Sequence, residues 1–100
     1  MIYITQLIYL KENQEDVFNQ FEAVAIPLIA KHNGRLLLRV RPDATAMIEQ
    51  DIEKPYEIHI VEFTTNAGFE SFMQDEERKQ FLHLKEQSIK SVWLMKGEKL

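Results

Sequence analysis

The chain has 100 residues, which is the size of one domain, and we expect a single domain over residues 1–100. Hydrophobic residues make up 45% and charged residues 28%, a composition typical of globular proteins and not of disordered ones. The formal net charge of −4 argues against nucleic-acid and anionic-membrane partners, and the absence of cysteine excludes disulfides, thiolate metal sites and cysteine nucleophiles.

The first predicted element is a strand over residues 2–10, where β-forming side chains occupy both alternating faces. This segment has neither the basic start nor the cleavage site of a signal peptide. No apolar run in the chain approaches the roughly 18 residues that a membrane-spanning helix needs. We therefore expect a cytoplasmic protein with no membrane contact.

A helix is predicted next, because apolar residues recur at helical spacing. They are Val17, Phe18, Phe21, Val24, Ala25, Leu28 and Ile29. Asn13 is the predicted N-cap, and Gly34 is the predicted residue that ends the helix. Pro27 lies inside this helix and predicts a kink near Ala23, since proline removes one backbone donor.

The second and third strands are predicted at Arg35–Pro42 and Tyr56–Phe63, because both segments are rich in β-forming residues. The connection between them is long for a hairpin loop, which favours a role in covering another part of the protein. We expect part of this connection, near Ala46 to Glu49, to be extended.

The last part of the chain predicts a helix in two pieces and a fourth strand. Thr64, Thr65 and Asn66 predict a turn and an N-cap, and Asp75 predicts the cap of the second piece. Ile89 to Met95 reads as the final strand. The order β–α–β–β–α–β predicts an α+β, ferredoxin-like sandwich with a four-stranded antiparallel sheet.

In this fold both helices cover one face of the sheet and leave the other open. We predict that Leu36, Leu38, Val40, Ile58 and Ile60 face the helices. We predict that the open face carries Tyr3, Thr5, Leu7 and Tyr9; Arg35, Leu37, Arg39 and Arg41; and Glu57, His59, Val61 and Phe63. Such a large apolar surface is unusual for a monomer, so we expect a homodimer in which two open faces pack together.

Several segments resemble a bacterial family of unknown function in the dimeric α/β-barrel superfamily. They are Tyr56–Phe63, Phe69–Met73, Asp75–Arg78, Phe81–Glu86 and the Pro27 helix leading to Gly34-Arg35-Leu36, which together span nearly the whole chain. The superfamily includes cofactor-free monooxygenases of antibiotic biosynthesis, muconolactone isomerases, haem-dependent peroxidases and ligand domains of regulators. The resemblance implies a ferredoxin-like fold and a dimeric α/β barrel, and it implies no particular activity.

The candidate catalytic residues are His59, Glu57 and Arg39. Glu57 and His59 share one face of the third strand, where the carboxylate can orient the imidazole as a general base. Arg39 on the adjacent strand can hold an anionic group or stabilise a developing negative charge. The alternative is a cross-strand polar network that satisfies itself at the dimer interface.

Other chemistries have little support in the sequence. Glu57 and His59 are only two potential metal ligands, and no metal-binding, nucleophile-elbow or phosphate-loop motif is present, so we expect neither a metal nor a cofactor. RNA-recognition modules share the order of elements, but the third strand lacks their basic and aromatic core. We expect no nucleic-acid partner.

Two hypotheses for function follow. In the first, the dimer binds a small organic molecule in a pocket between the sheet and the partner subunit, with cofactor-free monooxygenase-like or isomerase-like chemistry. In the second, the chain is a non-catalytic structural or regulatory dimerisation domain with a filled barrel. A cavity large enough for a ligand would favour the first hypothesis.

Overall fold

The computed structural model describes residues 1–100, which form four strands and four helices. The strands are β1 (Ile2–Leu10), β2 (Gly34–Val40), β3 (Glu57–Phe63) and β4 (Ile89–Gly97). The helices are α1 (Glu15–Lys31), α2 (Asn66–Met73), α3 (Glu76–Gln80) and α4 (Leu82–Ser88). The second helical crossover therefore consists of three short helices, where the sequence predicted two pieces. None of the helices has the length and hydrophobicity needed to span a membrane.

The four strands form one antiparallel sheet in the order β2-β3-β1-β4. The first and third strands are central, and the two crossovers return to the same face. This arrangement is the ferredoxin-like α+β fold, so the predicted fold class is confirmed.

Side-chain caps define the helices of the second crossover, as predicted. Thr65 accepts a hydrogen bond at 3.0 Å from the backbone N–H of Gly68. The Asp75 carboxylate accepts from the backbone N–H groups of Glu77 and Arg78 at 2.9 and 3.1 Å. Each cap satisfies backbone donors that have no partner inside the first turn.

The predicted boundaries of α1 are wrong at both ends. Gln14 is the N-cap and makes no side-chain capping bond, while Asn13 takes a left-handed conformation with φ of 62°. After the helix, Asn33 takes the left-handed position with φ of 61°, and Gly34 already belongs to β2. Gly34 is needed for space, because a Cβ atom there would lie 2.6 Å from the Phe63 ring.

The connection between β2 and β3 contains a turn of 3₁₀ helix at Ala44–Ala46 and no strand. Of the segment near Ala46 to Glu49 that was predicted to be partly extended, Met47 has an extended backbone, whereas Ala46 belongs to the 3₁₀ turn. Asp43 accepts a hydrogen bond from the backbone N–H of Ala46 at 3.0 Å and so caps this turn. The connection also covers Tyr9, whose hydroxyl donates to the Glu53 carbonyl at 2.7 Å. Tyr9 is buried for this reason, although it lies toward the open face of the sheet.

The helix-covered face of β3 is the opposite of the predicted one. Glu57, His59, Val61 and Phe63 are buried, whereas Ile58 and Ile60 are only partly buried. Val61 and Phe63 pack in one core cluster with Ile4 of β1, Ile29 of α1 and Phe69 of α2. Both faces of β3 carry apolar residues, so alternation alone did not identify the covered one.

A bulge in β2 explains why its predicted faces are also partly wrong. Leu36 pairs with Val61, but the register then shifts, so that Leu38 pairs with Ile60 and Arg39 pairs with His59. One extra residue moves every later side chain to the other face. Leu36 therefore packs against the core as predicted, whereas Leu38 and Val40 lie on the open side, 41% and 38% exposed.

We call the uncovered side of the sheet the open sheet face. It comprises Tyr3, Thr5, Leu7, Leu38, Val40, Ile58, Ile60, Trp93 and Met95. Of the residues predicted there, Tyr3, Thr5, Leu7 and Arg35 are confirmed, while Arg39, Arg41 and the four alternate residues of β3 belong to the helix-covered side. Trp93 pairs with Leu7 and is 52% exposed.

Candidate functional site

A buried carboxylate organises the polar residues of β2 and β3. Glu57 begins β3 and is fully buried. Its two oxygens accept hydrogen bonds from Nε of Arg39 at 2.9 Å and from Nε of Arg41 at 2.7 Å. The ring nitrogen Nε2 of His59 bonds to the same oxygen as Arg39 does. Because the bulge in β2 turns the two arginines toward this side, the cluster depends on it directly.

The contacts of Glu57 fix its charge. Burial favours the neutral form, but the hydrogen bonds from His59 and the two arginines outweigh burial and lower the pKa of Glu57 from 4.5 to about 2. The bond to Glu57 also raises the pKa of Arg41. The cluster therefore holds a permanent carboxylate between two permanent cations at neutral pH.

The Glu57 carboxylate determines which ring nitrogen of His59 carries the proton. An ionised carboxylate can only accept hydrogen bonds, so Nε2 of His59 carries the proton that lies between them. Nδ1 of His59 has no hydrogen-bond partner in the protein. When the ring is neutral, Nδ1 is the basic nitrogen, and Glu57 keeps it in that tautomer.

A cavity of about 150 Å³ lies between the helices and the covered face of the sheet. Thirteen of its 18 lining residues are hydrophobic. The five others are Gln6, Glu22, His59, Arg78 and Lys85. The cavity is thus an apolar space with a few polar groups, which is the usual character of small-molecule sites.

Glu22 is the acidic group of this cavity. It lies on α1, is 7% exposed, and forms neither a salt bridge nor a side-chain hydrogen bond. Burial raises the pKa of Glu22, and the nearby charge of Glu57 adds to this effect. The structure therefore contains two buried carboxyl groups whose pKa values shift in opposite directions: the pKa of Glu57 is lowered, and the pKa of Glu22 is raised.

Arg78 and Lys85 are the cationic groups. The guanidinium of Arg78 lies over the rings of Phe72 and Phe21, with its central carbon 5.2 and 5.7 Å from their centroids. Its only hydrogen bond runs from Nη1 to the carbonyl of Met73 at 3.3 Å, and Nε is buried without a partner. Burial and the charge of Arg78 lower the pKa of Lys85.

The structure brings together the three residues singled out in the sequence, but their surroundings differ from the prediction. His59 lines the cavity, Glu57 lies behind it, and Arg39 contacts Glu57 from the partly exposed edge of the cluster. The pocket predicted between the sheet and a partner subunit lies instead between the sheet and the subunit's own helices. The reason is the reversed face of β3, which turns His59 toward α1.

Sequence reasoning missed Glu22 and Arg78. Glu22 follows Phe21 directly and falls inside the apolar stripe of α1, so a charge in the stripe was a usable signal. Arg78 lies in α3, where all five residues are polar or charged, and no pattern distinguishes it from its neighbours. The structure has no group of three or more His, Asp or Glu side chains that could hold a metal ion.

The fold and the cavity define this chain as a ferredoxin-like α+β protein with an internal pocket, and solved structures with the same fold are known. A protein of unknown function from Rhodopseudomonas palustris, RPA0582, has a TM-score of 0.84 at 13% identity, over 99% of this chain and 82% of its own. A NIPSNAP family protein of unknown function from Agrobacterium tumefaciens has a TM-score of 0.71 at 18% identity, over 97% of this chain and 86% of its own. A dimeric protein of unknown function with a ferredoxin-like fold from Bacteroides fragilis has a TM-score of 0.71 at 14% identity, over 98% of this chain and 95% of its own.

These comparisons confirm the predicted resemblance to bacterial proteins of unknown function at the level of fold. No protein-family model and no curated protein matches this chain. The function must therefore be argued from its own residues.

Proposed function

We propose that this chain is a single-domain subunit of a homodimer and that each subunit binds a small, mainly apolar organic molecule in its cavity. The observation that carries the proposal is the cavity of about 150 Å³, whose mainly hydrophobic wall carries His59, Glu22 and Arg78, with Nε of Arg78 buried and unpartnered. An engineered apolar cavity of roughly this volume in another protein binds benzene. A ligand with one ring, or a short branched chain, matches this space.

His59 is the proposed general base for such a ligand. Its Nδ1 has no partner in the protein, and Glu57 holds the ring from behind. Arg39 and Arg41 keep Glu57 ionised, so these three residues position and polarise His59 without touching the ligand. The chemistry favoured by this geometry is removal of a proton next to a carbonyl, which needs no cofactor.

Glu22 is the proposed partner acid. It lines the same cavity as His59, where a carboxyl group can give a proton to a developing enolate or take one back. Proton transfer between two carbons of one molecule is an isomerase-like reaction. The same carbanion is also the species that reacts with dioxygen in cofactor-free oxygenation, so both predicted chemistries share this first step.

The open sheet face supports the homodimer. It exposes Trp93, Met95, Leu38 and Val40 beside partly buried neighbours, which is more contiguous apolar surface than a monomer usually carries. The Bacteroides fragilis protein of the same fold is described as dimeric. Val61 and Phe63, which were predicted to lie on this face, are covered by the subunit's own helices and do not contribute to it.

The dimer is tested by placing a charge on this face. Ile60→Lys puts an ammonium group in the middle of the open sheet face and should convert the dimer to a species of 11.8 kDa. Ile48→Lys is the matched control, because Ile48 is 93% exposed in the loop before β3. Light scattering coupled to size exclusion measures both masses. An unmodified protein that runs as a monomer at micromolar concentration would overturn the dimer.

The pocket is tested with toluene as a probe. Toluene should raise the melting temperature of the unmodified protein, because binding to the native state stabilises it. Ala25→Phe adds a ring at a buried, cavity-lining position of α1 and should abolish the effect. If the variant fails to fold, NMR shifts of the methyl groups of Ile4 and Val61 on adding toluene to the unmodified protein give the same information. No response in either measurement would refute the pocket.

The alternative is a structural or regulatory dimerisation domain without a ligand. One observation favours it: the cavity is smaller than the ~300–1,000 Å³ that is usual for ligand sites. The hypothesis of a dimerisation domain predicts that His59→Gln and Arg39→Gln affect only folding and dimerisation. A cytoplasmic location and the absence of nucleic-acid partners remain predictions from the sequence.

A further inference from the structure

The cavity contains a buried cation without a counter-ion. Arg78 is 6% exposed, yet it forms no salt bridge with any carboxylate. A guanidinium keeps its proton in proteins, so burial lowers its pKa without removing the charge. An unpaired buried charge is strongly unfavourable, and proteins normally pair it.

Two carboxylates, Asp75 and Glu22, attract the charge of Arg78, but neither forms a salt bridge with it. Asp75 is bound to Lys31 at 3.0 Å and to His32 at 2.7 Å, and it also caps α3. Glu22 acts on Arg78 only through longer-range attraction. No hydrogen bond or salt bridge joins the carboxyl of Glu22 to the guanidinium, so this attraction leaves the N–H groups of Arg78 without a carboxylate partner.

The guanidinium is also held in place for a ligand. The rings of Phe72 and Phe21 pack against it, and the bond from Nη1 to Met73 fixes one end. The opposite edge, with Nε and Nη2, makes no hydrogen bond. Nε has almost no accessible surface, so a carboxylate reaches this edge through Nη2 and accepts from both parallel N–H groups after a small shift of the side chains packed around Nε.

From these contacts we infer that the ligand of the cavity carries a carboxylate, which binds the free edge of Arg78. The inference rests on the proposed function and adds the substrate class: a small acid with one carboxylate and an otherwise apolar body that carries the separate carbonyl next to which His59 removes a proton. Lys85 provides a second positive charge on the same wall. The hydrophobic lining then surrounds the apolar body, and His59 and Glu22 face it.

The experiment compares matched pairs of probes by calorimetry on the full-length protein. Benzoate is compared with benzamide, and 3-methylbutanoate with its amide, because each pair differs in charge and hardly in shape. We expect the carboxylate of at least one pair to bind roughly tenfold or more tightly than its amide, as charge-assisted hydrogen bonds predict. Ala25→Phe shows whether the probes enter the cavity.

Arg78→Gln is the direct test, and Lys79→Gln is its control. Lys79 lies next to Arg78 on α3, is exposed, and loses the same charge on substitution. We expect Arg78→Gln to weaken carboxylate binding by roughly tenfold or more and to leave toluene binding unchanged. Lys79→Gln should change neither.

The possible outcomes separate the two proposals. If toluene binds but neither carboxylate binds more tightly than its amide, the inference is wrong and the pocket stands. Equal carboxylate affinity in Arg78→Gln and the unmodified protein also refutes the inference. If no probe binds, the proposed function itself fails. Should Arg78→Gln not fold, the comparison of acids with amides in the unmodified protein still decides.

Discussion

The Glu57 cluster allows the most demanding quantitative prediction. Glu57→Gln keeps the size of the side chain but removes the only negative charge that contacts Arg39, Arg41 and His59. Breaking a buried ion pair by removing one partner costs about 3–5 kcal/mol. The pKa gives a second measure of the same interaction, because its fall from 4.5 to about 2 corresponds to roughly 3 kcal/mol.

The pH dependence follows from the sign of this change. The folded-state pKa of Glu57 lies below its unfolded value of 4.5, so its contribution is complete above pH 4.5 and is lost as the pH falls toward about 2. The difference in unfolding free energy between the unmodified protein and Glu57→Gln should therefore be constant from pH 7 to 5. At pH 3 it should be smaller by roughly 2 kcal/mol.

Urea unfolding at a fixed protein concentration measures this difference. Glu62→Gln is the matched control on the same strand, since Glu62 pairs with the exposed Arg35 across 3.6 Å and should contribute at most about 1 kcal/mol. A loss below about 1 kcal/mol for Glu57→Gln, or a difference that is unchanged between pH 7 and 3, would refute the reasoning.

Two further predictions test packing and hydrogen bonding in the same assay. Gly34→Ala should destabilise by about 1–3 kcal/mol, because its Cβ would lie 2.6 Å from the Phe63 ring, whereas Gly97→Ala, with no atom within 4 Å, should be nearly neutral. A harmless Gly34→Ala would show that β2 can move away from Phe63. Tyr9→Phe removes the buried bond to the Glu53 carbonyl and should cost about 1 kcal/mol, while Tyr56→Phe, whose ring packs on Phe18 of α1 and whose hydroxyl forms no hydrogen bond, should change little. Equal effects of the two tyrosine substitutions would contradict the role of the loop in covering Tyr9.

Much of the fold was predictable because local patterns determine it. The strand at residues 2–10, the apolar stripe of α1, and the caps at Thr65 and Asp75 each arise from interactions within a few residues. The predicted helix boundaries at Asn13 and Gly34 were wrong because they were based on residue type alone. Asn13 lies in a turn and takes a left-handed conformation, whereas Gly34 lies in β2, where its close approach to Phe63 requires glycine.

The candidate site was predictable only in part. Glu57 and His59 share a face of β3 by simple alternation, and Arg39 was correctly placed beside them. The cavity itself was placed on the wrong side of the sheet, and Glu22 and Arg78 were not anticipated. These two residues come from α1 and α3, and only the packing of both helices on the sheet brings them to one wall.

Spacing along the chain is enough to predict the order and types of the elements and the pairing of Glu57 with His59. The face of the sheet that the helices cover depends on how the elements pack. Alternation divides a strand into two sets of side chains, and in β3 both sets are apolar enough to be buried. The bulge near Leu37 then moved two arginines across the sheet by a single extra residue, a change of register that no local pattern encodes.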